Sequence, residues 1–329
     1  MGDNVKIVID TKGNDNGALS IISGAFLALE KFNNLSVLLV GDYDFITSEV
    51  EKKGKFKDRI EILNATDEIT NYDSPARAVF AKAESSMIKG IKALAMRDDL
   101  SGFITAGNTG VLLVASMRYL MSEKGARPAL GAVLPSANGG FTCIVDAGAT
   151  VDCEPNQLLR FAHLGKEFMK DSFNIENPRI GLLSNGSEPT KGNKLVVETH
   201  GVLKQDVNLN FIGNVEGNVA LSGVCDVLVC DGFAGNQVLK VTEGTAIRII
   251  TDIIKYAKST ANEKIGELAN RLASIYDISS LGGGYILGAL KPVVKIRGNA
   301  GEKAVVSTAE MILNVKNNKS IFDKNKNKI

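Results

Sequence analysis

The sequence predicts an α/β protein whose mostly parallel sheet is covered by helices on both faces. Two observations carry that prediction. Short apolar, β-branched runs alternate with longer segments whose apolar residues recur at helical spacing. The 33 glycines cluster where runs of the first kind end and segments of the second kind begin, which in open α/β sheets is where ligands bind.

In chain order, strands are predicted at Val5–Asp10, Ser36–Val40, Ile60–Leu63, Gly102–Thr105, Ala129–Leu134, Thr142–Val145, Arg179–Leu183, Asn210–Ile212 and Val227–Val229. Helices are predicted at about 17–33, 75–95, 109–122, 155–170, 191–204, 235–258, 261–275 and 302–314. The first helix shows the pattern best: Leu19, Ile22, Phe26, Leu29 and Phe32 recur three and four apart, giving one apolar face. Residues 129–134 and 141–146, joined by Ser136-Ala137-Asn138-Gly139-Gly140, read as a hairpin, which makes the sheet mixed. Residues 1–322 are taken as one α/β domain with a helical arm at about 246–280, and 323–329 as a disordered basic tail.

A chain of 329 residues is ample for such a core. Its 38 Lys and Arg against 37 Asp and Glu leave no basic field to attract nucleic acid. Cys143, Cys153, Cys225 and Cys230 include no CxxC pair, so neither a zinc site nor a redox motif is indicated, and no metal is expected. Residues 1–30 lack the layout of a signal peptide, and no apolar run reaches the roughly 18 residues of a membrane span. A reducing cytoplasm fits this cysteine usage.

The chemistry-bearing segments lie at the predicted strand ends. Ala106-Gly107-Asn108-Thr109-Gly110 opens a helix, with Thr109 as its expected cap and small residues that let an anion approach free N–H groups. The plain alternative is a tight turn with an ordinary cap. Ser184 to Asn193 also precedes a helix. Lys191 at that helix start opposes the macrodipole unless an anion compensates, or it is simply a solvated lysine. Asp231-Gly232-Phe233-Ala234-Gly235-Asn236 follows a third strand, and Asn236 and Lys240 share a helix face beyond it. Asp10 to Gly17 follows the first strand. Ser85-Ser86-Met87 lies inside a helical pattern. Together these segments point to an anionic ligand at the carboxyl edge of the sheet. His163 and His200 both fall in helices, His200 near a helix end where a capping role is the plain reading. No GxSxG elbow, complete phosphate loop or HExxH occurs, so triad or zinc hydrolysis has no support.

Taken in order, these residues resemble the PlsX-type phosphate acyltransferases of bacterial phospholipid synthesis. The resemblance runs through Ser85-Ser86-Met87, AGNTG at 106–110, Lys124-Gly125, Arg127-Pro128-Ala129 and Asp146-Ala147-Gly148-Ala149 with Asp152-Cys153. It continues through Leu182-Leu183 to Glu188, Lys191-Gly192-Asn193, Gly213-Asn214-Val215-Glu216-Gly217, DGFAGN at 231–236, Lys240, Glu243, Gly244 and the glycines at 282–284 and 288. It covers roughly residues 5–315. Two turns depart. The family's Asp-Ala-Met-Gly-Gly-Asp is here Asp10-Thr11-Lys12-Gly13-Asn14-Asp15, and its His-Gly-Ser-Ser is here Arg297-Gly298-Asn299-Ala300.

The resemblance implies a three-layer α/β/α fold similar to the isocitrate and isopropylmalate dehydrogenases and to phosphotransacetylases. It implies inorganic phosphate as acceptor, acyl carrier protein as donor, no cofactor, a homodimer, and peripheral contact with the inner face of the cell membrane. The apolar stripes and lysines of residues 246–275 suit a lipid surface or a dimer core. The expected catalytic residues are Asn108, Lys191, Asp231 and Asn236. The expected substrate contacts are Asp10, Gly13, Asp15, Ser85, Ser86, Gly107, Thr109, Gly110, Glu188, Gly192, Asn193, Gly232, Gly235 and Lys240. Phosphate is already anionic and a thiol with a pKa of about 8.5 leaves readily, so such a site needs positioning and oxyanion donors more than a strong base. Two rivals stand beside this reading: a short-chain phosphotransacylase making acetyl phosphate or a relative, and a non-catalytic paralogue that binds acyl carrier protein or lipid. A metal- and NAD-dependent decarboxylating dehydrogenase on the same general fold lacks its arginine-rich motif and metal-binding aspartates here.

Overall fold

The computed structural model describes residues 4–121, 126–276 and 283–316. In chain order its elements are β1 (Val5–Asp10), α1 (Ala18–Lys31), β2 (Leu35–Gly41), α2 (Tyr43–Lys53), β3 (Ile60–Asn64), α3 (Pro75–Ala81), α4 (Ser86–Met96), β4 (Leu100–Thr105), α5 (Thr109–Tyr119), β5 (Ala129–Pro135), β6 (Phe141–Val145) and α6 (Pro155–Phe173). Then follow β7 (Arg179–Ser184), α7 (Lys194–Gln205), β8 (Asn210–Glu216), β9 (Val227–Val229), α8 (Gly232–Ser259), α9 (Glu263–Ile275), β10 (Gly284–Leu287), β11 (Val293–Lys295) and α10 (Glu302–Lys316).

The described residues form two compact units. One contains residues before 129, residues 171–174 and the segment from 283 onward. Its strands run in the order β3-β2-β1-β4-β11-β10, parallel except for the antiparallel β10–β11 pair. The other contains residues 129–170 and 175–276. Its order is β5-β6-β9-β7-β8, parallel except for the β5–β6 hairpin. The fold is thus the expected α/β class with a mixed, mostly parallel sheet. All seven residues of β2 are buried, as a parallel strand covered on both faces requires. A shared core in the second unit gathers Ala132, Ile144, Val215, Ala220, Leu228 and Cys230.

All nine predicted strands form, with ends shifted by no more than a few residues. The differences have local causes. The helix expected over 75–95 is two helices, because Ser85 is extended (φ −70°, ψ 152°) and starts α4 as its N-terminal flank. Ser85 and Ser86 therefore open a helix and do not lie inside one. The cap of α5 is Asn108, whose Oδ1 accepts from the Val111 N–H at 3.1 Å, and Thr109 is the first helical residue. The helix expected from 191 begins at Lys194 behind the Asn193 cap, which leaves Lys191 in the preceding loop. Helix α2 and strands β10 and β11 were not predicted. The tail at 323–329, the end of the arm at 277–280, and Lys124 and Gly125 lie outside the described residues.

Candidate functional site

In the first unit the turns after β1 and β4 press together. A Cβ on Gly13, which has φ +75°, would come 2.6 Å from the Gly107 Cα, so position 13 needs glycine. Asp10 ends β1 and is buried beneath these turns. It accepts from the Thr105 hydroxyl at 2.8 Å, the Lys12 N–H at 3.1 Å and the Ser86 hydroxyl. Thr105 in turn accepts from the Gly107 N–H at 2.9 Å. Burial outweighs these bonds and pushes the Asp10 carboxyl up to about 6.

That shift predicts a pH signature. The unfolded chain releases the Asp10 proton near 3.8, whereas the folded chain holds it to about 6. Between those values the folded state binds more protons, so this group's contribution falls as pH rises, by about 3 kcal/mol in all. Asp10→Asn removes the titration. Denaturation at about pH 4 and about pH 7 is expected to show wild type losing roughly that much against the variant as pH rises. A difference that stays constant with pH contradicts the assignment.

The remaining first-unit candidates fall around this cluster. Asn108 is fully engaged: its Oδ1 caps α5 and its Nδ2 donates to the Thr70 carbonyl at 3.1 Å. Gly110 packs on Pro75, where a Cβ would come 2.6 Å from the ring. Ser85 is buried, and its hydroxyl meets no partner among the described residues. Asp15 is exposed, and its N–H donates to the Gly298 carbonyl at 2.7 Å. Asn14 and Asn16 donate to the carbonyls of Ala300 and Asn299, each at 3.0 Å. The two turns that depart from the family pattern are therefore hydrogen-bonded to each other, so their changes meet in one place.

In the second unit the centre is Asp146, which ends β6 and is buried. One carboxylate oxygen accepts from Leu130 N (3.0 Å), Gly148 N (3.1 Å) and Ala149 N (2.9 Å), and the other from Ala149 N (3.0 Å) and Thr150 N (2.6 Å). Burial raises its pKa, and these N–H groups oppose the rise. The loop so shaped receives the start of α8. Asp231 caps that helix, accepting from the Ala234 N–H at 2.8 Å, and the Gly232 N–H donates to the Thr150 carbonyl at 2.7 Å. Gly235 faces the Asp146 carbonyl. Asn236 is half-buried with its amide beside Gly148 and has no side-chain hydrogen bond among the described residues. Lys240 is exposed and lies 3.6 Å from Glu243.

The loop after β7 is held by a chain of hydrogen bonds. Asn214 Nδ2 donates to the Glu188 carbonyl at 2.8 Å, which also accepts from the Lys191 N–H at 3.0 Å. Asn214 Oδ1 therefore faces His200 Nδ1 (2.9 Å) as acceptor, which puts the histidine's proton on Nδ1. Buried His200 also packs edge-on to Phe211, so it supports the loop and has no role as a helix-end cap. His163 pairs with Asp206 at 2.7 Å. The Lys191 ammonium is exposed, without an acidic partner among the described residues. Asn193 is spent on its cap. Asp146 and Asn214 stand among the family motifs and Ser184 opens the polar turn before α7, but the sequence gives none of them, nor His200, a place in the site. Only the fold shows what each holds.

None of the four thiols is poised as a nucleophile. Burial pushes Cys225 up to about 12 and also raises Cys143 and Cys230. Cys153 is pushed up to about 11 by burial and by the Asp146 and Asp231 charges.

Known proteins share this architecture. A phosphotransacetylase from Streptococcus pyogenes superposes with a TM-score of 0.63 at 16% identity, covering 96% of this chain and 94% of that one. EutD phosphotransacetylase from Staphylococcus aureus gives 0.60 at 14% identity, over 95% and 94%. At such identities these two show the fold alone. The sequence itself goes further. A protein-family model described as "Fatty acid synthesis protein" matches residues 5–319. The phosphate acyltransferase of Clostridium novyi is 35% identical over 99% of this chain and 98% of its own length. That of Thermoanaerobacterium thermosaccharolyticum is 39% identical over 92% and 90%. The chain belongs to this fatty acid synthesis protein family, the PlsX-type phosphate acyltransferases.

Proposed function

We propose that this protein transfers a fatty acyl group from acyl carrier protein to inorganic phosphate, giving an acyl phosphate for phospholipid synthesis. A phosphate oxygen attacks the thioester carbonyl carbon, the new C–O bond forms, the C–S bond breaks, and the proton of hydrogen phosphate ends on the thiol. The observation that carries the reading is the set of strand-end turns offering cations, amides and backbone N–H groups without a free histidine or a thiolate. Both histidines are engaged in structural contacts, and every thiol is held protonated at neutral pH. Direct transfer suits such a site; an acyl-cysteine intermediate does not.

Lys191 and Lys240 are assigned to phosphate in the second unit, and in the first the turn at 106–110 offers backbone N–H groups to an anion. Asn236 is the better oxyanion donor, because the Asn108 amide is already committed to Thr70. Asp231 shapes the start of α8 and so positions Asn236. Asp10, Gly13, Ser85, Ser86 and Gly107 shape the first-unit turns, with Thr109 and Gly110 at the α5 start. Glu188, Gly192 and Asn193 shape the Lys191 loop, and Gly232 and Gly235 the seat of α8. The partners are acyl carrier protein and a second copy of the chain, in a cytoplasmic homodimer. Among the described residues no helix is long and apolar enough to cross a membrane. Helices α8 and α9 nevertheless expose Ile247, Ile249, Tyr256 and Leu268 beside Lys255, Lys258, Lys264 and Arg271. We assign this surface to the dimer first and to anionic lipid second; flotation with anionic vesicles supports the second use, and its failure leaves the dimer alone.

The test offers the purified protein phosphate with long-chain acyl carrier protein or with acetyl-CoA, and traps acyl phosphate with hydroxylamine. Hydroxamate is expected from the long-chain donor. Hydroxamate from acetyl-CoA alone assigns the protein to short-chain chemistry, and none from either assigns it to binding without catalysis.

A further inference from the structure

The second unit holds a polar group that none of the roles above uses. Ser184 is the last residue of β7. It is only 9% exposed, and its hydroxyl has no hydrogen-bond partner among the described residues. Buried polar side chains in folded proteins nearly always have partners, so an orphan hydroxyl marks a place where something else is bonded. The position of Ser184 separates it from the other buried orphans. Thr47, Ser116 and Thr199 lie within helices and Ser85 belongs to the first-unit turns already described, whereas Ser184 stands at the carboxyl end of a parallel strand, where ligands of such sheets bind.

Its surroundings are those of an anion site. The hydroxyl faces Gly192, where a Cβ would lie 3.4 Å from the Ser184 Oγ and 2.6 Å from the Val196 Cβ. Gly192 has φ +110°, a conformation closed to residues with side chains, so no side chain at 192 stands over the hydroxyl. The following residue caps α7, which directs the N-terminal N–H groups of a helix of 12 residues toward the same turn. Lys191 precedes Gly192, its stem folded over Gly186. The chain from His200 through Asn214 to the Glu188 carbonyl pins this loop from behind.

We propose that Ser184 is a further substrate-binding residue whose hydroxyl donates to an oxygen of the phosphate that Lys191 holds at the start of α7. This deepens the function proposed above and rests on its placing of phosphate. The hydroxyl supplies direction where the lysine supplies charge: one donor fixed by a strand, one on a flexible stem. Phosphate binding then satisfies the buried oxygen.

The test compares wild type with Ser184→Ala and Ser184→Cys, the second nearly isosteric but a weak donor. Steady-state kinetics give KM for phosphate and kcat, and thermal unfolding with and without inorganic phosphate reads binding without turnover. Both variants are expected to raise KM for phosphate about tenfold or more, with kcat at saturating phosphate little changed, and to lose most of the phosphate-induced rise in Tm. A wild-type KM in Ser184→Ala overturns the proposal. So does a change in Ser184→Ala that Ser184→Cys does not share, since that marks a packing role. If wild type forms no acyl phosphate, the proposed function fails, while the thermal measurement still decides whether Ser184 binds phosphate.

Discussion

Gly235→Ala is expected to leave little stably folded protein. A Cβ at this position overlaps the Asp146 carbonyl oxygen and comes 2.8 Å from the Cys230 sulfur. Neither neighbour can yield. The Asp146 backbone is fixed through its own carboxylate, which collects N–H groups from Leu130, Gly148, Ala149 and Thr150. It is fixed again by Asp146 N–H to the Cys230 carbonyl at 2.9 Å and Cys230 N–H to the Val145 carbonyl at 2.8 Å. Relief therefore requires α8 to lift from the 146–150 loop, breaking the Gly232 to Thr150 bond and moving Asn236. Overpacking against backbone costs about 3 kcal/mol or more, a large part of a stability of roughly 5–15 kcal/mol. The expected result is insoluble protein or a Tm lower by about 10 °C. The control is Gly244→Ala further along α8, where a Cβ meets nothing and better helix propensity is neutral to favourable. A Gly235→Ala protein as stable as that control shows that α8 does not seat as described.

Lys191→Ala is expected to raise KM for phosphate by about 10- to 100-fold, the range for losing a charge-assisted hydrogen bond to a charged ligand. Two features make this lysine and not a neighbour the choice. Its main chain is tied to the Glu188 carbonyl, which Asn214 also holds, so the loop is set before any ligand arrives. Its ammonium has no acidic partner among the described residues. Lys194, by contrast, lies 3.9 Å from Glu198, and Lys240 lies 3.6 Å from Glu243. Lys194→Ala is accordingly expected to leave the phosphate KM near the wild-type value. Initial rates over a phosphate series settle the matter; equal KM values for wild type and Lys191→Ala remove Lys191 from the site.

Much of the fold was legible because apolar parallel strands announce themselves. Runs such as Val37–Val40 and Val227–Val229 are wholly apolar, and the Gly-rich turns mark where strands stop. Helix α2 was missed because only Ile46 and Val50 on it are buried, too few to set a helical period. Strands β10 and β11 are short and set among the glycines at 282–284 and 288 and Pro292, so turn signals on every side hide them. The extended backbone at Ser85 could not be told from helix, because Ser85-Ser86 suits a helix start as well as an exposed helical face.

The site was legible in part for a physical reason. Spacing located the turns, but roles depend on which atoms are already bonded. Asn108 and Asn236 look alike in sequence; one amide is consumed in tying two loops together and the other is left open. Ser184 reads as the first residue of a polar turn, and only its burial shows that its hydroxyl lacks a partner. The two divergent turns, at Asp10–Asp15 and Arg297–Ala300, lie far apart in the chain, with Asn14 and Ala300 separated by 286 positions, yet they bond to each other.

The most direct test of the central claim follows acyl carrier protein thiol release as phosphate is varied, with acyl phosphate counted in the same samples. Acyl transfer to phosphate predicts that no thiol appears without phosphate and that each thiol released is matched by one acyl phosphate. Thiol released at the same rate without phosphate, with free fatty acid as the product, would contradict it.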